Sequence, residues 1–138
     1  MPAVVIRPIL APQTYSLRHR VLWPDKPPEH VQLPEDEVGH HFGAFRQQEL
    51  VAVISLFVEN GVGRFRKFAT EPALQGQGIG TALLRHVVAE ATRLGARTLW
   101  CDSRQAAAGF YQRFNMEPEG AVFYKGDIPY IRMVRTLP

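Results

Sequence analysis

The sequence predicts an α/β fold, more closely an α+β domain around one mixed sheet, and three observations carry that reading. Runs rich in β-branched and aromatic residues occupy the first half, two segments with helical periodicity fall in the second, and strand-like runs close the chain. Strands, then strand–helix–strand–helix, then strands is the element order of a single sheet flanked by helices. The 138 residues fit one domain spanning 1–138, long enough to bury a core without disulfides or a structural metal. No internal repeat or low-complexity tract interrupts it.

The elements follow in order. Val4 to Leu10 is apolar and β-branched, and Pro8 within it marks an edge strand or a strand end. Gln13 to Leu22 places Thr14, Leu17 and Val21 at helical spacing. Val38 to Phe45 and Leu50 to Val58 read as two strands joined by the polar turn Arg46-Gln47-Gln48-Glu49. Asn60-Gly61 signals the next turn, before a strand from about Gly63 to Thr70. Gly78 to Leu94 carries Ile79, Leu83, Val87 and Ala91 at i, i+4 spacing, and Gly95 ends the helix. Arg97 to Cys101 is a short strand, and Arg104 to Phe114 an amphipathic helix with Ala107, Phe110, Tyr111 and Phe114 on one face. Ala121 to Lys125 and Tyr130 to Val134 close the chain as strands.

Composition narrows the class. Cys101 is the only cysteine, which suits a reducing, cytoplasmic setting, and its apolar flanks favour a small core residue over a nucleophile. No apolar run approaches the roughly 18 residues of a membrane span, and the N-terminus lacks the pattern of a signal peptide. The net charge is +3, unevenly spread. From Pro24 to Glu37 the acids Asp25, Glu29, Glu35, Asp36 and Glu37 face only Lys26, so this proline-dense surface loop is −4 and the remainder +7. The loop is either a solubilising segment or a wall favouring a cationic substrate. The basic residues elsewhere are scattered and no nucleic-acid motif accompanies them, so no nucleic-acid partner is expected.

The most informative segment runs from Phe68 through Gln75-Gly76-Gln77-Gly78-Ile79-Gly80-Thr81 into the long helix. At such a strand–loop–helix junction the first-turn amides lack partners and the helix dipole is positive, which favours a phosphate. Gly76, Gly78 and Gly80 remove the Cβ atoms that would block its approach. No lysine follows them, so this is not the nucleotide-triphosphate loop. A dinucleotide fingerprint is nearer, with Asp102 placed for a ribose, but Thr81 stands where its third glycine belongs.

The loop Gln75-Gly76-Gln77-Gly78-Ile79-Gly80 resembles the Gln/Arg-x-x-Gly-x-Gly/Ala signature of the GCN5-related N-acetyltransferases (GNAT), and Ala107-Ala108-Gly109-Phe110-Tyr111 looks like that superfamily's Ala-x-x-Phe-Tyr helix. The end of the chain, Gly126 to Met133, is similar to its bacterial ElaA-like branch. The chain departs from the pattern at Asn115, where glycine is usual, and at Arg104, where an asparagine often contacts the pantetheine. The resemblance implies a mostly antiparallel sheet that splays at an acetyl-CoA site. It implies that backbone groups of Phe68, Ala69 and Thr70 bond the pantetheine and that Gln75 to Thr81, with Arg104, complete the coenzyme site. Tyr111 then maps to the general acid beside the coenzyme sulfur; helical spacing alone would make it a core residue. No metal is implied.

The reaction implied is acetyl transfer from acetyl-CoA to a primary amine of a small molecule or protein, by direct attack on the thioester, in a monomer or homodimer. No acid lies between Gly63 and Thr70, where Arg64, Arg66 and Lys67 stand instead. Candidates for a base are therefore Glu37, Asp36, His40, His41, Asp102 or ordered water. His40 and His41, as strand neighbours, face opposite ways, so they do not form a joint metal site. A non-catalytic acyl-CoA-binding module is the alternative that the missing strand acid leaves open, with a dinucleotide-binding domain behind it.

Overall fold

A computed structural model describes residues 4–138, and Met1 to Ala3, the start of the segment read for a signal peptide, lie outside them. The strands are β1 (Val5–Ile9), β2 (His40–Arg46), β3 (Glu49–Glu59), β4 (Val62–Thr70), β5 (Thr98–Arg104), β6 (Glu117–Lys125) and β7 (Ile128–Thr136). The helices are α1 (Ala11–Leu17), α2 (Ile79–Arg93) and α3 (Ala108–Gln112). The strands form one seven-stranded sheet in the order β1-β2-β3-β4-β5-β7-β6. Among the described residues only the β4–β5 pair is parallel. Of the two readings of Pro8 the edge strand holds, since β1 is at the edge of the sheet.

Local chemistry explains most boundaries. Gln47 and Gln48 both adopt positive φ, as do Asn60 and Gly61, so β2–β3 and β3–β4 are two-residue hairpins whose turn twist matches that of the strands. The turn between β2 and β3 is made without glycine, and its polar character alone made it readable. Asn115 reaches φ +63 after α3, the left-handed conformation that asparagine tolerates better than most residues.

α2 lies on β2, β3 and β4. Its Ile79, Leu83, Leu84, Val87 and Ala91 are buried against Phe42, Ile54, Leu56, Phe65 and Leu99, each large side chain worth about 1.5–3 kcal/mol on burial. Alternation along β3 turns Val53 to the opposite face, where it packs with Ala69 under Leu17 of α1. Arg18, in a π-helical turn that continues α1, is also on that face and fully buried. It donates to both carboxylate oxygens of Asp36 at 2.9 and 3.0 Å, to the Val31 carbonyl at 3.0 Å and to Ser55 Oγ at 2.9 Å. This cluster folds the acidic proline-rich segment, as two 3₁₀ turns over Pro28–Val31 and Pro34–Val38, onto the sheet.

Three sequence expectations are corrected. β5 runs on to Arg104, so Asp102 is inside the strand and Arg104 at its end. The helix carrying Tyr111 is correspondingly short, a 3₁₀ turn at Gln105–Ala107 followed by α3. β6 and β7 are nine residues each, longer than their apolar centres suggested, because their pairing with each other, and that of β7 with β5, extends to polar positions that an apolar-run criterion omits.

Candidate functional site

Two features of β4 open the site. Its parallel pairing with β5 covers only Val62–Arg64 against Thr98–Trp100, so beyond these residues the two strands diverge and leave a cleft between them. Within the diverging part β4 bulges. Val53 pairs with Ala69 and Ser55 with Arg66, so Lys67 and Phe68 together oppose Ile54, with Lys67 at φ +56. A bulge leaves backbone groups outside the ladder and re-aims side chains; here it turns both toward the cleft.

The cleft has two connected parts. A groove of about 640 Å³ runs along Ala69, Thr70, Gln75, Gly76, Gly78 and Thr81. A recess of about 190 Å³ continues it between β4 and β5, reaching Lys67, Asp102, Ser103, Lys125 and Tyr130. Leu22, Phe68, Arg104, Ala107 and Tyr111 line both. Volumes in the hundreds of Å³ are those of small-molecule sites.

The groove is shaped for a phosphate. Gly78, at φ +86, is the N-cap of α2 and no side chain caps the helix. The first helical bond runs from the Ala82 amide to the Gly78 carbonyl, leaving the amides of Ile79, Gly80 and Thr81 without helical acceptors. The first turn carries no acid, so nothing opposes the positive end of the dipole. At Gly76, φ +80, an added Cβ would meet nothing within 4 Å, and the loop stands open. Gln77 is exposed, and the buried Ile79 side chain anchors the turn in the core. Gln75 donates to the Thr70 carbonyl at 3.1 Å, so its side chain closes the loop onto β4. Arg113 lines this end with its guanidinium 5.2 Å from the Phe110 ring centre. These groups fit the pyrophosphate of a coenzyme A.

Tyr111 sits where the two parts meet, its ring 5.7 Å from Phe65 and 5.2 Å from Phe110. Burial, then the neighbouring Cys101, pushes its phenol well above the ordinary tyrosine range, so it stays protonated at neutral pH. Cys101 is itself buried, and its thiol is pushed far up by desolvation, as expected for a core residue. Arg104 donates to the Leu22 carbonyl at 2.9 Å and so ties the end of β5 to the turn that carries Trp23.

The candidates for a base disperse. Asp36 is buried against Arg18, and His41 bridges Ser55 Oγ at 2.7 Å and the Asp36 carbonyl oxygen at 2.8 Å. His40 and Glu37 are exposed and do not line the cleft. Asp102 alone reaches the recess, where it is engaged by Arg64 at 3.1 Å and Arg132 at 3.6 Å. The two arginines flank Trp100, with guanidinium carbons 4.2 and 4.0 Å from its ring centre.

The acidic loop does not form the wall expected for a cationic acceptor. Asp36 is committed to Arg18, and Glu35 pairs with Arg66. The charged groups lining the recess are Arg64, Arg66, Lys67, Arg104 and Lys125 against Asp102 alone. Lys67 and Lys125 were missed as site residues because their placement depends on the bulge and on the β6–β7 pairing, neither of which leaves a local sequence signal.

With this geometry in place, comparison with known proteins is direct. The Acetyltransferase (GNAT) family pattern matches residues 7–116. The uncharacterized N-acetyltransferase YitI of Bacillus subtilis is 29% identical over 96% of this chain and 95% of its own. Among solved structures, Escherichia coli ElaA superposes with a TM-score of 0.79 at 19% identity, over 98% of this chain and 99% of its own. A GNAT acetyltransferase of Elizabethkingia anophelis with acetyl-CoA bound gives 0.78 at 19%, over 97% and 98%. Among the described residues no helix is long and apolar enough to cross a membrane. The splayed strands, the uncapped glycine turn and the matched pattern lead to one conclusion: this chain belongs to the GNAT family of acyl-CoA-dependent acetyltransferases.

Proposed function

We propose that the protein transfers an acetyl group from acetyl-CoA to a primary amine of a small molecule or protein by direct attack of the amine on the thioester. The observation that carries this reading is the uncapped, acid-free N-terminus of α2 behind Gly76 and Gly78, at the mouth of the β4–β5 cleft. The coenzyme supplies the acetyl group as a thioester, which an amine can attack without a covalent enzyme intermediate. Amides of Gln75 to Thr81 hold the pyrophosphate, and the open edge of Phe68, Ala69 and Thr70 receives the pantetheine. Arg104, lining both parts of the cleft, flanks that arm. Backbone freed by the bulge at Lys67 supplies an N–H that polarises the thioester carbonyl as charge grows on its oxygen.

Tyr111, kept protonated by its surroundings, gives its proton to the departing thiolate. The amine's proton leaves to water, because the carboxylate that reaches the recess is already held by two arginines. The single buried cysteine suits a cytoplasmic enzyme. Calorimetry with acetyl-CoA and release of free thiol in the presence of an amine panel test the proposal. Binding together with amine-dependent thiol release is expected; absence of acetyl-CoA binding overturns it.

A further inference from the structure

We propose that the acceptor is a primary amine carrying its own anionic group, a carboxylate or phosphate, which seats against Lys67 and Lys125 in the recess. The inference rests on the acetyltransfer reading above and adds the chemical class of the acceptor. Of the five cations lining the recess, Arg64 and Arg66 are matched by Asp102 and Glu35. Arg104 donates one N–H to the Leu22 carbonyl, which orients the guanidinium toward the seam of the two parts and leaves its charge unmatched. Among the described residues Lys67 and Lys125 have no carboxylate partner.

Each ammonium lies near an aromatic ring. Lys67 Nζ is 6.0 Å from the Trp23 ring centre and Lys125 Nζ 4.5 Å from that of Tyr130. Lys67 comes from the bulge of β4 and Lys125 from the end of β6, so chain segments far apart in sequence bring two ammonium groups to one recess. Burial and neighbouring cations oppose such an arrangement: burial, then Arg66 and Lys125, depresses Lys67 to about 8, and burial, opposed by Asp102 and helped by Arg66, Arg64 and Arg104, depresses Lys125. A bound anion relieves the repulsion; a polyamine would add to it.

The coenzyme's own phosphates do not account for the two lysines. The phosphate-shaped end of the cleft is lined by Gly76, Gly78 and Arg113, and neither lysine reaches it. Both lie in the other part, past Tyr111, where an acceptor must approach. The aromatic rings beside them supply flat apolar surface for the body of the acceptor.

The test measures binding in the presence of coenzyme A, and acetyl transfer from acetyl-CoA, for matched amines: alanine against alaninamide, O-phosphoethanolamine against ethanolamine, and spermidine as the cationic probe. The expected result is at least tenfold tighter binding and at least tenfold higher kcat/KM for an anionic member over its neutral partner. The carboxylate and phosphate arms tell the two anions apart. Lys67→Gln and Lys125→Gln should each reduce that ratio several-fold, and Lys67→Arg should restore it, which a misfolded variant cannot do. Equal or better use of the neutral amines or spermidine overturns the inference while leaving acetyltransfer intact, and so does failure of every anionic amine to bind. Anion-selective binding that needs the lysines, without acetyl-CoA binding, would keep the anion site but overturn the acetyltransfer reading, and with it the assignment of the bound amine as acceptor.

Discussion

The glycine-loop end of the cleft is built chiefly on backbone from one stretch, Phe68 to Thr81, with Arg113 beside it, whereas the lysine end is made of side chains from β4, β5, β6, β7 and the turn after α1. The first offers amides and a helix dipole, which serve any ligand with a pyrophosphate in the right place. The second offers charges whose sign and spacing depend on how distant segments pack. Backbone recognition is suited to the part of a reaction that does not vary, and side-chain recognition to the part that sets specificity.

The sharpest way to break this contrast is at the seam. Tyr111→Phe removes the one hydroxyl proposed to act on the leaving thiolate while keeping the ring that packs on Phe65 and Phe110. A fall in kcat of about 10²-fold or more is expected, with acetyl-CoA affinity within about twofold of the parent by calorimetry. A matching loss of affinity would make Tyr111 a wall of the groove and no more.

Next in size is the support of the side-chain end. Asp36→Ala strands the fully buried Arg18 guanidinium, and breaking a buried pair in this way costs about 3–5 kcal/mol. Thermal unfolding should shift down by on the order of 10 °C. Burial raises the Asp36 carboxyl, but the hydrogen bonds from Arg18 and the Leu33 amide outweigh it and hold the group below its ordinary value. The pair's stabilisation is therefore present above the ordinary carboxylate range and lost as pH falls through the lower folded value. The parent should lose stability on acidification more steeply than the variant.

The backbone end answers to a smaller change. Gly78→Val places a β-branched residue at φ +86, which costs about 1–2 kcal/mol and narrows the approach to the first-turn amides. Acetyl-CoA affinity should weaken about tenfold, whereas the ratio of kcat/KM between anionic and neutral amines should stay unchanged. Movement of both would show that the two ends are not separable.

The same contrast explains what the sequence made legible. Gly76, Gly78, the period of α2 and the Asn60-Gly61 turn are local signals, because positive φ and helical spacing act within a few residues. The splay of β4 from β5, the bulge at Lys67 and the arrival of Lys125 beside it are consequences of register over the whole sheet. Counting the charges of the acidic loop leaves both a solubilising segment and a wall for a cation open, because the burial of Arg18 cannot be told from its helix position at period 3.6. Two of the loop's five carboxylates, Asp36 and Glu35, are partners of the protein's own arginines.

The smallest expected effect tests the side-chain end directly. Burial, then the charges of Arg66, Lys125 and Arg18, lower the Lys67 ammonium to about 8, with Asp36 opposing them. An unfolded lysine titrates near 10.4, so between the two values the folded chain binds fewer protons than the unfolded one, and stability rises with pH across that window. Lys67→Met should flatten the rise. An NMR titration of the Lys67 Cε carbon should give a midpoint near 8 in the free protein. It should move upward when O-phosphoethanolamine is bound, because a neighbouring anion favours the charged ammonium. A midpoint near 10.4 would mean that the side chain sits in solvent rather than in the recess, and the specificity assigned to that end of the cleft would lose its principal group.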